Sequence, residues 1–205
     1  MQRILLIDTC GEAAGVALCL GGKVLVTEEF VPGDASAQLV GAIGRLLHQL
    51  GWILADLDGV GVVSGPGSFT GVRTGMAVAK GLCEVAELPM VTVSRLEVLA
   101  DATMPSSELV ALDAGRGEVY VHEVATGREW LCGVEELATA QGLVVAEQRL
   151  AERLASYSPV LHSLSLADAL PALTWRLKQG GCDVALADAN YVRTEQNVYG
   201  KQVLK

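Results

Sequence analysis

The sequence predicts an α/β protein of two similar lobes. Three observations carry that expectation. Residues 60–82 run from an apolar, β-branched segment through a turn of Gly, Pro and Ser into a long stretch of helix formers, which is the pattern of strand, tight turn and helix. Further on, Leu109-Val110-Ala111-Leu112-Asp113-Ala114-Gly115-Arg116-Gly117-Glu118 echoes Leu5-Leu6-Ile7-Asp8-Thr9-Cys10-Gly11-Glu12. Each is an apolar strand ending in Asp, then a glycine-bearing turn, a Glu and a returning strand, as a duplication would leave. Finally, the 205 residues are 51% hydrophobic but only 4% aromatic, a composition suited to helices packed closely on sheets rather than to a core of large rings. Met104-Pro105-Ser106-Ser107 reads as the linker, which divides the chain into lobes 1–103 and 104–205.

Taken in order, residues 3–8 form a short apolar strand that ends in the Asp8 carboxylate. Segments 14–20 and 23–29 are strands joined by Gly21-Gly22, a pair that accepts the positive φ angles of a tight hairpin. Pro32-Gly33-Asp34 breaks the chain, and Asp34 or Ser36 is placed to cap a helix over 36–50. Leu39, Ile43, Leu46, Leu47 and Leu50 recur there at helical spacing. Gly41 and Gly44 cost that helix about 1 kcal/mol each relative to alanine. Their small sides admit another backbone, from the sheet beneath or from a partner. The central strand and a helix over 70–84 follow, then a strand over 90–94 and a short helix over 96–102. Beyond the repeated hairpin, 146–156 and 166–177 read as helices and 160–164 as a strand. Leu166, Leu170, Leu173 and Leu177 share one face of the last helix, and Pro171 disturbs it unless it lies in the first turn.

The formal net charge of −9, with Lys and Arg scattered, argues against a primary grip on nucleic acid. The five cysteines (Cys10, Cys19, Cys83, Cys132 and Cys182) are far apart and form no Cys-x-x-Cys, so they read as buried free thiols in a reducing cytoplasm. Asp8 ends the first apolar run well short of a signal peptide, and no apolar stretch is long enough to span a membrane.

The central turn has two readings. Strand, glycine loop and helix N-terminus can hold an anion, because unpaired N–H groups point the same way. However, no Gly-Lys-Ser/Thr closes a P-loop, and Gly65-x-Gly67 is followed by Gly71 rather than by a glycine at Thr70. Pro66 also removes one of the N–H groups. The spacing favours the other reading, a turn that lets helix and strand approach closely. Ser68 fails as a nucleophile elbow, since Pro66 and Thr70 stand where glycines are needed. His48, His122 and His162 are widely separated and carry no ligand spacing.

Ser64-Gly65-Pro66-Gly67-Ser68-Phe69-Thr70-Gly71-Val72-Arg73, followed by Ala79-Lys80-Gly81-Leu82, closely resembles the signature of the TsaB (YeaZ) family. That family belongs to the bacterial machinery making threonylcarbamoyladenosine in tRNA. The resemblance extends to Ile7-Asp8-Thr9, to Val93-Ser94 with Leu96-Glu97, and to Asp113-Ala114 with Glu118-Val119-Tyr120. It covers the second half patchily. Tyr191-Val192-Arg193 is similar to the family's closing Pro-x-Tyr-x-Arg, with Ala189 in place of the proline, and Gly115 stands where an arginine is expected.

The resemblance implies the two-lobed fold of actin, hexokinase and Hsp70 (RNase H-like): duplicated β-β-β-α-β-α lobes facing a cleft, here with a reduced second lobe. In active members of that group, magnesium and nucleotide sit between two hairpin turns, which makes Asp8, Thr9 and Asp113 candidates for a remnant cleft. The alternative, favoured because no Gly-Gly adenine-binding loop is found in the second half, is that each Asp only caps its turn. The catalytic paralogue TsaD carries His-x-x-x-His after the equivalent strand. The matching positions here are Arg95 and Leu99, neither of which ligates a metal.

The implied function is a non-catalytic subunit without its own metal, cofactor or catalytic residue. It would pair with TsaD, help recruit the ATPase TsaE, and meet tRNA only through that complex. A homodimer in the absence of TsaD, and weak binding of magnesium with ATP or ADP, stay open. The alternatives are a weak ATPase or kinase using Asp8 and Asp113 and, last, a glycoprotease-type metallopeptidase. The family places the partner surface on helices 36–50 and 70–84, where Val40, Leu47, Arg73, Met76, Ala77 and Lys80 are the expected contacts.

Overall fold

The structure, a computed structural model, describes residues 1–31, 33–105, 107–137, 142–182 and 184–192. Strands β1 (Arg3–Asp8), β2 (Gly15–Leu20) and β3 (Lys23–Glu29) form an antiparallel meander. The hairpin between β2 and β3 turns at Gly21 and Gly22, with φ of 58° and 80°, as the Gly-Gly pair predicts. Helix α1 (Ala35–Leu50) then crosses to β4 (Gly59–Val63), and helix α2 (Phe69–Ala86) to β5 (Met90–Val93). Both strands run parallel to β1, so the first sheet has the order β3-β2-β1-β4-β5.

The second sheet repeats this plan. Strands β6 (Leu109–Gly115), β7 (Glu118–Glu123) and β8 (Arg128–Gly133) form an antiparallel meander. Strands β9 (Leu143–Val145) and β10 (Val160–Leu161) add in parallel, giving β8-β7-β6-β9-β10. The reduction falls on the helices. Between β9 and β10 stands α4 (Gln148–Arg153), of 6 residues, where the first lobe has the 18 of α2. The helix expected over 146–156 is thus shorter and continues as a single 3-10 turn at Ala155–Tyr157. Strand β10 keeps only the first two residues of the expected 160–164. Strands β8 and β9 were absent from the sequence reading. Leu-Val-Val is too short to show a period, and Arg-Glu-Trp-Leu-Cys-Gly lacks β-branched residues.

Two helices cross the expected division at 103/104. Helix α3 (Arg95–Thr103) precedes the linker, yet its Leu96, Leu99 and Ala100 pack with Val110, Leu112 and Val144 on the second sheet. Helix α5 (Leu166–Lys178) comes last, yet Leu166, Leu170, Leu173 and Leu177 join the core of the first sheet. They enter on the face opposite α1 and α2, where the sheet is thinned by glycine. A methyl group on Gly15, Gly59 or Gly61 would meet Leu166, Leu177 or Leu173, respectively. Pro171 lies inside α5 rather than in its first turn, and the helix runs on. Both Pro171 and Ala167, whose carbonyl the proline leaves without its helical donor, are on the exposed side of the helix. Beyond α5, Cys182 bridges to Met90 on the edge strand, and the Asn190 amide donates to the Ser64 carbonyl at 2.7 Å.

Candidate functional site

The signature loop is built around contact between backbones. Ser68 caps α2 by accepting from the Gly71 amide at 3.2 Å, and its own amide donates to the Cys10 carbonyl at 2.8 Å. The Thr9 hydroxyl donates to the Gly71 carbonyl at 2.6 Å. A methyl group on Gly67 would lie 2.3 Å from the Cys10 oxygen, on Gly71 2.0 Å from the Thr9 oxygen, and on Gly75 2.4 Å from the Thr9 hydroxyl. The four-residue spacing of these glycines therefore keeps one face of the loop and of the first turns of α2 against the turn after β1. Packing, the favoured sequence reading, is what the geometry displays. Two of the N–H groups that an anion would need are already taken.

Asp8 and Asp113 occupy equivalent places at the ends of β1 and β6. Each accepts from the amide two residues on, Cys10 at 2.8 Å and Gly115 at 3.0 Å. Both side chains therefore cap their turns. Each also has an arginine nearby. Arg153 pairs with Asp113 at 3.2 Å, and Arg95 acts on Asp8 through its charge. Burial pushes the Asp8 carboxyl above its usual range, against the pull of Arg95 and the Cys10 amide.

Between the two turns lies a cavity of about 370 Å³, with Thr9, Ser68, Thr74, Arg95, Asp113 and Glu147 among its walls. Arg95, at the start of α3, is only 8% exposed and pairs with Glu147 at 2.9 Å. Its guanidinium covers Gly11, where a methyl group would come within 2.5 Å of it. The other Glu147 oxygen accepts from the Asp113 amide at 3.3 Å. This arrangement does not fit magnesium with a nucleotide. A fixed guanidinium covers the first hairpin turn, and the carboxylates that would face a metal are engaged by amides and arginines. Among the described residues, no three His, Cys, Asp or Glu side chains gather as a metal site.

A second polar cluster joins the lobes nearby. Ser94, the cap of α3, donates to Glu129 of β8 at 2.5 Å, and Asn190 donates to the same carboxylate at 2.6 Å and to Ser94 at 3.1 Å. His122 of β7 lies 3.4 Å from it. Burial alone would raise the Glu129 pKa, but these hydrogen bonds prevail and hold it below the usual range. Sequence reasoning missed Glu129, Asn190, Glu147 and Arg153. Their partners lie tens of residues away, and no local spacing marks them.

The outer face carries α1 and α2 side by side. Val40 (63% exposed), Arg73 and Ala77 face outward, while Leu47 and Lys80 are half-buried. Met76, expected among the outward contacts, is a core residue at 5% exposure. It lies on the sheet-facing side with Val72 and Ala79, about one turn to either side, and Cys83, two turns on. Gly41, Gly44 and Gly81 also line the outer face and not the sheet. The Arg73 guanidinium lies 3.8 Å over the Phe69 ring and donates to the Tyr191 hydroxyl at 3.0 Å. Arg193, of the expected closing motif, lies outside the described residues.

A family model described as TsaD, tRNA N6-adenosine threonylcarbamoyltransferase, matches residues 30–163. The tRNA threonylcarbamoyladenosine biosynthesis protein TsaB of Escherichia coli K12 is 40% identical over 123 residues, 58% of this chain and 53% of that protein. The chain thus matches about half the length of that curated relative. The solved structure of YeaZ from Pseudomonas aeruginosa covers 92% of this chain and 100% of its own, with a TM-score of 0.74 and 27% identity. The activator of 2-hydroxyisocaproyl-CoA dehydratase from Clostridium difficile, solved with ADPNP, shares the actin-like fold alone. It has a TM-score of 0.53 at 10% identity, covering 87% of this chain and 94% of its own. With more than half of its residues matched, the chain belongs to the TsaD family, within its TsaB (YeaZ) group.

Proposed function

We propose that this chain is a non-catalytic assembly subunit of tRNA threonylcarbamoyladenosine biosynthesis. It pairs with a TsaD-type transferase, helps to bring in a TsaE-type ATPase, and supports transfer of the threonylcarbamoyl group to adenosine of tRNA. The observation that carries the reading is Arg95. By the resemblance it stands where the transferase has its first ligating histidine, and here its charge is taken up within the chain by Glu147. At the second position, Leu99 is fully buried against the other sheet. With no chemistry of its own, the chain acts through a surface. The outer face of α1 and α2 suits a partner helix because Gly41, Gly44, Ala77 and Gly81 keep it low, while Val40 adds apolar contact. At a net charge of −9, tRNA is met through the partner.

Ala77→Glu tests this. Ala77 is exposed, so the variant should melt as the parent does. It should lose TsaD pairing in co-purification and calorimetry, because overpacking and an unpaired buried charge cost several kcal/mol. A folded variant that binds with unchanged affinity would move the interface elsewhere.

A further inference from the structure

Arg95 touches more of the molecule than any pairing role requires. Its backbone amide donates to the Gly65 carbonyl at 2.6 Å, in the signature loop. Its guanidinium covers Gly11 in the first hairpin turn. Across the cleft it meets Glu147, the residue before α4, and that carboxylate also accepts from the Asp113 amide of the second hairpin turn. One ion pair, with both side chains at least 86% buried, therefore ties the two hairpin turns to each other. Among the described residues the lobes are also joined by α3, by α5 and by the Asn190 segment, which lines a second cavity with Ala114 and Arg116 of the second hairpin turn.

We propose that the Arg95–Glu147 pair is a latch that fixes the separation of the two hairpin turns and so the angle between the lobes. A buried pair is costly to break from one side, because the remaining charge is left without a partner in a poorly solvated place. The latch thus closes the mouth of the cleft in a two-lobed fold that α3, α5 and the Asn190 segment hold together elsewhere. This inference does not rest on the proposed partner.

Cys10 reports on the latch. It lines the cleft yet is only 2% exposed, and its thiol donates to the Val63 carbonyl. In a Cys182→Ser background, which removes the exposed thiol, Arg95→Met and Glu147→Gln are each treated with a thiol reagent, and the labelled peptides are mapped by mass. Each variant should label Cys10 at least about tenfold faster than the parent. The Arg95→Met/Glu147→Gln double variant should be no faster than the quicker single, because one latch is being removed. Cys19, Cys83 and Cys132 should keep their parental rates. The proposal is overturned if Cys10 labels at the parental rate, or if all four buried cysteines speed up together, which would mean general loosening. Should a single variant fail to fold, the double variant, which leaves no lone charge, carries the same reading.

Discussion

The Thr9 hydroxyl donates to the Gly71 carbonyl at 2.6 Å, and a methyl group on Gly71 would sit 2.0 Å from the carbonyl oxygen of Thr9. Two backbones are in contact, so no flexible side chain can move aside. Gly71→Ala should therefore destabilise the chain by about 2 kcal/mol or more. Gly81→Ala, in the same helix, meets nothing within 4 Å. It should stabilise by about 0.5–1 kcal/mol through helix propensity alone. Urea midpoints of the two variants should move in opposite directions. A shared direction would mean that the contact at Thr9 does not decide the glycine.

Asp8 should be a liability at neutral pH. Burial raises its carboxyl above the ordinary 3.8, so the folded state holds the proton more tightly than the unfolded chain does. Stability contributed by the protonated group is present below the unfolded pKa and is lost as pH rises through the folded one. Asp8→Asn keeps an oxygen for the Cys10 amide and removes the buried charge. It should melt at or above the parent at pH 7, with the difference shrinking towards pH 4. A lower melting temperature at pH 7 would show that the Asp8–Arg95 attraction outweighs burial.

Much of the fold was legible because it is written locally. The Gly21-Gly22 hairpin, the leucine face of α1 and the Asp-ended strands each occupy one short window, and the echo between residues 5–12 and 109–118 revealed the duplication. The exchange of α3 and α5 between sheets was not legible. Leu173 reads the same whether it covers a sheet of its own lobe or the glycine face of β4, and only the fold reveals Gly59 and Gly61 as its complement. Periodicity also could not tell Met76 from Ala77 as core and surface, since the neighbouring small residues supply no contrast. The Arg95–Glu147 pair joins positions 52 residues apart, a distance at which single-sequence reasoning has nothing to count.

Glu129 behaves in the opposite sense to Asp8. Burial would raise its pKa, but hydrogen bonds from His122, Ser94 and Asn190 take it below the ordinary 4.5. A depressed folded value means stability that is present above the unfolded pKa and is lost as pH falls through the folded one. Glu129→Gln should therefore cost about 1–3 kcal/mol at pH 7 and little at strongly acidic pH. Hydrogen exchange at the Asn190 amide should quicken with it, because that segment loses its charged tie to β8. An unchanged exchange rate would show that the bond from the Asn190 amide to Ser64 suffices alone.

Leu173 lies at the centre of the exchange between lobes. It is fully buried, and its methyl carbon would lie 2.9 Å from a methyl group built on Gly61. Leu173→Ala removes the knob that this glycine was shaped to admit and should cost about 2–5 kcal/mol. Gly61→Ala alone should also destabilise, by crowding the same spot from the sheet side. Combined, the added methyl group occupies part of the space the leucine vacates. The double variant should then be more stable than the sum of the singles implies, by about 1 kcal/mol or more. Because α5 belongs to the first sheet while the chain must pass through the second lobe to deliver it, all three variants should unfold in one transition, read identically by far-UV circular dichroism and Trp fluorescence. Strict additivity would deny the direct contact, and two separate transitions would deny that α5 unites the lobes.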